Sequence, residues 1–388
     1  MELAGRNKAG FRPGSPGCIE GHPMSLLFAP YHLKDVTLRN RIAVSPMCQY
    51  SAEDGLINDW HRSHLTSLAR GGAGLVVVEA TAVAPEGRIT PGDTGLWNDA
   101  QAEALRPVVG AIKAAGAVPG IQIGHAGRKA SANRPWEGDD HIPEGDPRGW
   151  QTIAPSALAF GGDLFRVPRA MELDDIARVQ RDFVATAQRA RDAGFQWLVL
   201  HFAHGYLGQS FFSVHANQRQ DQYGGSAENR GRFLLETLRA VRKVWPENLP
   251  LTARLGVIEF DGRDEETLSE AAGLVRDMKS EGLDFLDVSI GFNTPEAKIP
   301  WGPGFMGEIA GRMRQETGLP TATSWYIGTP EIAESMVQKE QVDLVMMGRP
   351  MLENPHWPYV AAKALKVEKP SWVLPAPYAH WLARYRSA

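Results

Sequence analysis

Cysteine is nearly missing from this chain: two in 388 residues, Cys18 and Cys48. That excludes a disulfide framework, an iron–sulfur cluster and a cysteine-built structural zinc site. Charge of one sign is missing too. Forty-one Lys and Arg face 45 Asp and Glu, a net −4, so there is no basic excess to draw the chain to nucleic acid or an anionic membrane. No apolar run is long enough to span a bilayer. Residues 1–23 have no apolar centre and do not read as a secretory signal. They read as a leader, a tag or an over-extended reading frame, expected to be disordered, with Met24-Ser25-Leu26-Leu27-Phe28 as the natural start. What these absences leave is a soluble protein of a reducing, cytoplasmic compartment. Glycine and proline, by contrast, are plentiful at 40 and 27, which suits frequent turns between strands and helices. With 43% apolar and 22% charged residues, residues 24–388 have the composition of a folded globular unit.

Short β-branched runs alternate with longer helical patterns. Strands are expected at 41–46, 74–81, 118–124, 197–202, 251–256, 285–290, 320–324 and 343–348. Helices are expected at 61–70, 99–115, 173–193, 227–244, 265–281, 305–316, 330–338 and about 357–365. Several of these patterns stop at a glycine (Gly71, Gly116, Gly194, Gly282, Gly318), the residue helix ends prefer. Eight strand–helix units fit a (β/α)8 TIM barrel or a doubly wound sheet. Alternation decides between them. Doubly wound strands are apolar on both faces. Here alternate positions are polar or tiny: Glu79 and Thr81; Gly120, Gln122 and Gly124; Thr252, Arg254 and Gly256; Asp287 and Ser289. Intervening residues such as Ile121, Ile123, Leu286, Val288 and Ile290 suit a helix-facing surface. No Gly-x-Gly-x-x-Gly follows the first strand, against a dinucleotide-binding fold. The expected architecture is a single α/β barrel with its site at the C-terminal strand ends, a long loop insertion after strand 3 (126–170) and an aromatic C-terminal tail (369–388). Loops that long are usually functional lids. Tails with Trp372, Tyr378, His380, Trp381 and Tyr385 commonly dock on the body or on a neighbouring subunit.

The densest chemistry ends the fourth strand: His201-Phe202-Ala203-His204-Gly205-Tyr206. Two imidazoles three residues apart can converge on one anion or carbonyl oxygen, and a phenol two residues on can supply a proton. Metal binding by His125, His201 and His204, as in a metal-dependent barrel hydrolase, is the rival. It lacks an acidic ligand set. Arg254 points inward and needs either an acid partner, Glu79 or Asp287, or a bound electron-rich ligand. Gln122 offers one acceptor and two donors, suited to the edge of a heteroaromatic ring. Gly348-Arg349 follows the eighth strand, where barrels often bind phosphate. One phosphate pocket without a dinucleotide fingerprint points to a mononucleotide such as FMN, not FAD or NAD, as resident cofactor. Cys48, in Ser45-Pro46-Met47-Cys48, is either a polarisable group beside the cofactor or a small buried hydrophobe, and has no His–Asp arrangement that would make it a nucleophile.

Six runs in register resemble the Old Yellow Enzyme family of FMN-dependent ene-reductases, its thermophilic-like subgroup and the xenobiotic reductase branch above all. They are 38–41 (LRNR), 45–50 (SPMCQY), 122–129 (QIGHAGRK), 201–206 (HFAHGY), 221–230 (DQYGGSAENR) and 348–349 (GR). The resemblance implies an FMN at the barrel mouth, lined by Ser45, Pro46, Met47, Cys48 and Ala80, with Gln122 on its pyrimidine edge and Arg254 near N1 and C2=O. It implies Gly328, Gly348 and Arg349 at the phosphate, although Tyr326 stands where most relatives have a glycine. His201 and His204 would bind the substrate carbonyl and Tyr206 would protonate the α-carbon. Cys48, Tyr50, Lys129, Trp325 and Trp381 would also touch substrate, with Trp381 reaching a neighbouring subunit's site in a homodimer or homotetramer. NADPH or NADH would recharge the flavin in a separate half-reaction. The 221–230 run reads as structural, with Ser226 as a helix cap. A 2,4-dienoyl-CoA reductase is disfavoured for want of cluster cysteines and a further domain. A flavin- or phosphate-binding barrel without turnover remains the other alternative.

Overall fold

Eight parallel strands form a closed barrel: β1 (Ile42–Val44), β2 (Leu75–Ala82), β3 (Val118–Gly124), β4 (Trp197–Phe202), β5 (Leu251–Ile258), β6 (Phe285–Ile290), β7 (Thr321–Thr323) and β8 (Leu344–Met347). The last pairs with the first, Val345 opposite Ile42. Between them run α1 (Asp59–Arg70), α2 (Asp99–Ala114), α3 (Leu173–Ala193), α4 (Ala227–Arg242), α5 (Asp264–Ser280), α6 (Gly307–Thr317) and α7 (Pro330–Gln338), with α8 (Trp357–Ala364) after β8. The computed structural model describes residues 25–385; the expectations for residues 1–23, Cys18 included, lie outside them. This is the (β/α)8 barrel that the alternation pattern indicated.

Strand geometry sends alternate side chains to opposite faces. Val76, Val78, Ile121, Ile123, Leu198, Leu200, Leu286 and Val288 join the shell of core between strands and helices. The opposite parity fills the barrel. Leu75, Val77, Trp197, Val199, Phe285, Leu344 and Met346 make an inner cluster, closed from below by Tyr31, Val36 and Leu38. Those three come from a hairpin, Tyr31–Leu33 against Val36–Leu38, too short for periodicity to reveal. Higher up the same inward positions turn polar, at Gln122, His201, Arg254, Asp287 and Ser289, all buried. The apolar plug at one end and the polar mouth at the other position the site.

One inward residue was misread. The β2–β3 register slips between Val78 and Thr81, a one-residue bulge, and a bulge re-aims the side chains around it. Glu79 therefore does not face Arg254. It accepts the Gln49 N–H at 3.0 Å and stands 3.9 Å from His61 Nε2 on α1. Several boundaries also move. β1, β7 and β8 are shorter than expected because Ser45, Ser324 and Gly348 leave the ladder to shape the mouth. Helix α1 starts earlier, at Asp59, because Asn58 and His61 form a capping box. Ser226 caps α4 as expected, accepting from Asn229 N–H.

The 126–170 insertion lies over the mouth. Buried Arg128 ties it down, donating to the carbonyls of Ala159 (3.1 Å) and Asn293 (2.7 Å). From the same insertion Arg134 Nε donates to the Tyr50 carbonyl at 2.9 Å. The tail, a 3-10 turn Pro370–Val373 and a helix Ala376–Leu382, lies beside α1 and α2, Tyr378 sharing a groove with Thr66 and Ala111. No helix among the described residues is long and apolar enough to cross a membrane.

Candidate active site

A cavity of about 520 Å³ opens at the C-terminal mouth, running from Ser45, Pro46 and Met47 past Arg254 and His204 to Gly328, Gly348 and Arg349. Inward-facing polar atoms of the barrel stand without partners, those of Ser45 and Arg254 on the cavity wall and that of Gln122 on β3. Ser45 Oγ, Gln122 Nε2 and Arg254 Nε are buried with no hydrogen bond among the described residues. Native proteins rarely leave such atoms unpaired, so they call for a bound group. Arg254 meets both readings of its role. Its Nη2 donates to Ser324 Oγ at 2.8 Å, and Nε lies 3.2 Å from Asp287 Oδ2 without the alignment of a hydrogen bond. Asp287, not Glu79, is thus its acid neighbour, and burial pushes that carboxyl up to about 6 against the pull of Arg254. At the outer end Arg349 is exposed and makes no ion pair among the described residues. Donors and a cation at one end, with a guanidinium and glycines at the other, match a heteroaromatic ring carrying a phosphate. FMN fits this donor set.

The loop after β7 keeps the backbone that a glycine would take. Trp325 has φ 79° and Tyr326 φ 53°, two consecutive left-handed residues with side chains. The tyrosine is 53% exposed and its ring packs on Trp301, centroids 5.7 Å apart. Half of the residue faces solvent while it still lines the edge of the cavity, beside Trp325 and Gly328.

Beside this cavity β4 delivers the cluster expected from the sequence. The His201 ring lies 5.1 Å from His204 and 5.0 Å from Tyr206, centroid to centroid. His204 and Gly205 both turn left-handed, φ 62° and 69°. Gly205 is required there, since a Cβ would sit 2.4 Å from the Phe292 carbonyl oxygen and 2.8 Å from Lys129 Nζ. Burial, with Arg254 nearby, holds both imidazoles well below the usual histidine range. They are neutral. The Ala203 N–H donates to His201 Nδ1 at 3.4 Å, which places the His201 proton on Nε2. Burial pushes the Tyr206 phenol well up, so it stays protonated.

The other candidates divide. Ala80, His125, His201 and Tyr206 border a second, narrow pocket. Cys48 is half-buried, its thiol pushed well up by burial and by Asp93 and Glu79, with Tyr50 against it. It is a thiol, not a thiolate nucleophile. Tyr50 (φ 51°) packs edge-on to Trp136 at 5.8 Å. Lys129, expected to touch substrate, has its ammonium occupied by the carbonyls of His204 (2.9 Å) and Phe292 (2.8 Å), above the Phe160 ring. Trp381 is 69% exposed and does not reach this chain's own site. His125 Nδ1 accepts from Gly127 N–H, and among the described residues no three His, Cys, Asp or Glu side chains converge to hold a metal. Three contributors escaped the sequence reading. Ser289 was legible as an inward residue at the end of β6; Ser324, and Trp301 in a loop, carried no signal.

Glu79, displaced by the bulge, yields a stability prediction. Burial pushes its carboxyl from 4.5 up to about 8. Between those values the folded chain keeps a proton that the unfolded chain has lost, so stability falls as pH rises from 4.5 through 8. Glu79→Gln removes this loss and still offers an oxygen to Gln49. The variant's advantage is expected to widen by up to about 1.4 kcal/mol per pH unit across that window. Thermal unfolding of both proteins at pH near 5 and near 8 checks it; a constant gap would refute the buried, protonated carboxyl.

Similarity to known proteins agrees with this geometry. The family model described as the NADH:flavin oxidoreductase / NADH oxidase family matches residues 26–368. The chain belongs to that family. An NADPH dehydrogenase of Geobacillus thermodenitrificans is 41% identical over 350 residues, 89% of this chain and 97% of that protein. Morphinone reductase superposes with a TM-score of 0.74 at 29% identity, covering 88% of this chain and 90% of its own. An Old Yellow Enzyme homologue from Zymomonas mobilis does so with 0.72 at 26% identity, covering 93% and 99%. The Old Yellow Enzyme resemblance is borne out, and with it an FMN-dependent oxidoreductase that draws on a reduced nicotinamide nucleotide.

Proposed function

We propose that this family member is an ene-reductase. It reduces the activated C=C bond of α,β-unsaturated ketones, aldehydes or imides, and extends to nitro compounds, by a ping-pong exchange with NADPH or NADH. The carrying observation is the trio of neutral His201, neutral His204 and protonated Tyr206 within 6.3 Å of one another, ring to ring, beside the cavity. FMN held there would supply the two-electron redox chemistry that links the nicotinamide to the alkene. The chain's residues do the rest. Two imidazole N–H groups hold the carbonyl oxygen, and because both rings are neutral they are hydrogen-bond donors that do not give up a proton. As negative charge gathers on that oxygen, preset donors in a dry site stabilise it at no cost of reorganisation. Tyr206 then passes its phenolic proton to the α-carbon and recovers one from solvent. Ser45, Gln122 and Arg254 would hold the ring, and Gly328, Gly348 and Arg349 the phosphate. The exposed Trp381 supports a homodimer or homotetramer in which the tail meets a neighbouring site.

Colour tests the reading. The purified protein should be yellow, bleach with NADPH under argon and regain its spectrum on adding cyclohexenone. A yellow protein that bleaches yet never re-oxidises with any enone would overturn the substrate class, and one that NADPH does not bleach would leave the binding-barrel alternative.

A further inference from the structure

His204 is held at both ends. Its carbonyl accepts from Lys129 Nζ at 2.9 Å, and the same ammonium reaches the carbonyl of Phe292 at 2.8 Å. Both residues are left-handed, φ 62° and 51°, so one lysine clamps two strained turns, after β4 and after β6. At the ring end, Nε2 lies 2.8 Å from Ser289 Oγ. The same oxygen lies 3.3 Å from the Trp325 indole nitrogen. Ser289 is fully buried, and these two are its only side-chain partners among the described residues.

An indole N–H only donates, so the serine oxygen accepts from Trp325. The serine proton then has one available acceptor, His204 Nε2. The opposite arrangement, with His204 donating from Nε2, would leave a buried hydroxyl proton facing nothing. Chains in which every member has a partner are strongly preferred in dry surroundings. We propose that Ser289 is a positioning residue that fixes His204 as the Nδ1–H tautomer through a Trp325 to Ser289 to His204 relay. Nδ1 has no partner among the described residues and is the ring nitrogen left for a ligand. His201, by contrast, carries its proton on Nε2. The two histidines thus present opposite ring nitrogens, and each presents a donor. This deepens the proposed function, resting on its assignment of His204 to the substrate oxygen.

The test separates the relay from that assignment. Holoenzyme labelled with ¹⁵N-histidine, with His204 assigned by its loss in His204→Asn, should show a protonated Nδ1 and an unprotonated Nε2 at neutral pH. Ser289→Ala should move the proton to Nε2; Ser289→Thr, which restores a hydroxyl on a β-branched strand residue, should return it to Nδ1. Alongside, the affinity for p-hydroxybenzaldehyde, followed by the flavin absorbance, should fall at least ~10-fold in Ser289→Ala and recover in the threonine variant, with flavin content unchanged. An Nε2–H signal in the wild type overturns the relay whatever the enzyme turns over. A correct tautomer in a protein that ignores enones keeps the relay and discards the substrate class.

Discussion

A protein in which both His201 and His204 are alanine is expected to keep its flavin and lose enone reduction by more than ~10³-fold. Removing one preset donor from a site of this kind typically costs 10²–10³ in rate, about 2.7–4 kcal/mol. Here both donors to the same oxygen are removed. The rings lie 5.1 Å apart and almost perpendicular, 89° between planes, so they approach one oxygen from different directions and neither replaces the other. The flavin is expected to stay because the orphaned atoms that call for it, on Ser45, Gln122 and Arg254, belong to other strands. Three measurements check this: flavin content after gel filtration, the affinity for a phenolic ligand, and single-turnover re-oxidation by cyclohexenone. Retained tight phenol binding would remove the pair from the substrate site. Both imidazoles are held well below the usual range by burial, so the wild-type affinity for a neutral enone should show no histidine inflection near pH 6.5. An inflection there would mean that one ring is a charged donor.

How far the sequence revealed this site depends on the scale of the signal. The barrel was legible because it repeats eight times: alternating aliphatic and polar positions, then a helix, with Gly194 and Gly318 ending α3 and α6 in the left-handed conformation. His201, His204 and Tyr206 were legible because they crowd one strand end. Glu79 was not, since a single bulged residue inverts the alternation and nothing local announces it. The contacts of Lys129 were hidden for a related reason. A motif says which residues are near a site, but not that two left-handed turns would present their carbonyls to its ammonium. Ser289 shows the opposite error: its inward parity was visible, but its meaning required Trp325, 36 positions away, to arrive from the next strand. Such contacts between neighbouring strand ends are products of barrel closure, which no window along the chain contains.

Tyr206→Phe is expected to slow the enone half-reaction by about 10²–10⁴-fold, the usual contribution of a positioned general acid, and to leave reduction by NADPH within a factor of a few. The reasoning begins from burial. The phenol is pushed well above its ordinary value by desolvation and by the neighbouring Asp93, so it is protonated across the working range and its proton is always available. Its ring stands 5.0 Å from His201 and 6.3 Å from His204, so in the proposed reaction the phenol would be near the carbonyl that the two imidazoles hold. In the proposed reaction the acceptor is carbon: two N–H groups would already stabilise the enolate oxygen, and the remaining demand would be one proton at a second position. Nitro compounds sharpen the test. Their reduced nitronates survive without protonation at carbon, so in the phenylalanine variant a nitroalkene should still re-oxidise the flavin while releasing the nitronate, visible by its own absorbance. Equal slowing of both half-reactions, or an enone rate unchanged by the substitution, would take the proton-donor role away from Tyr206 and give it to solvent.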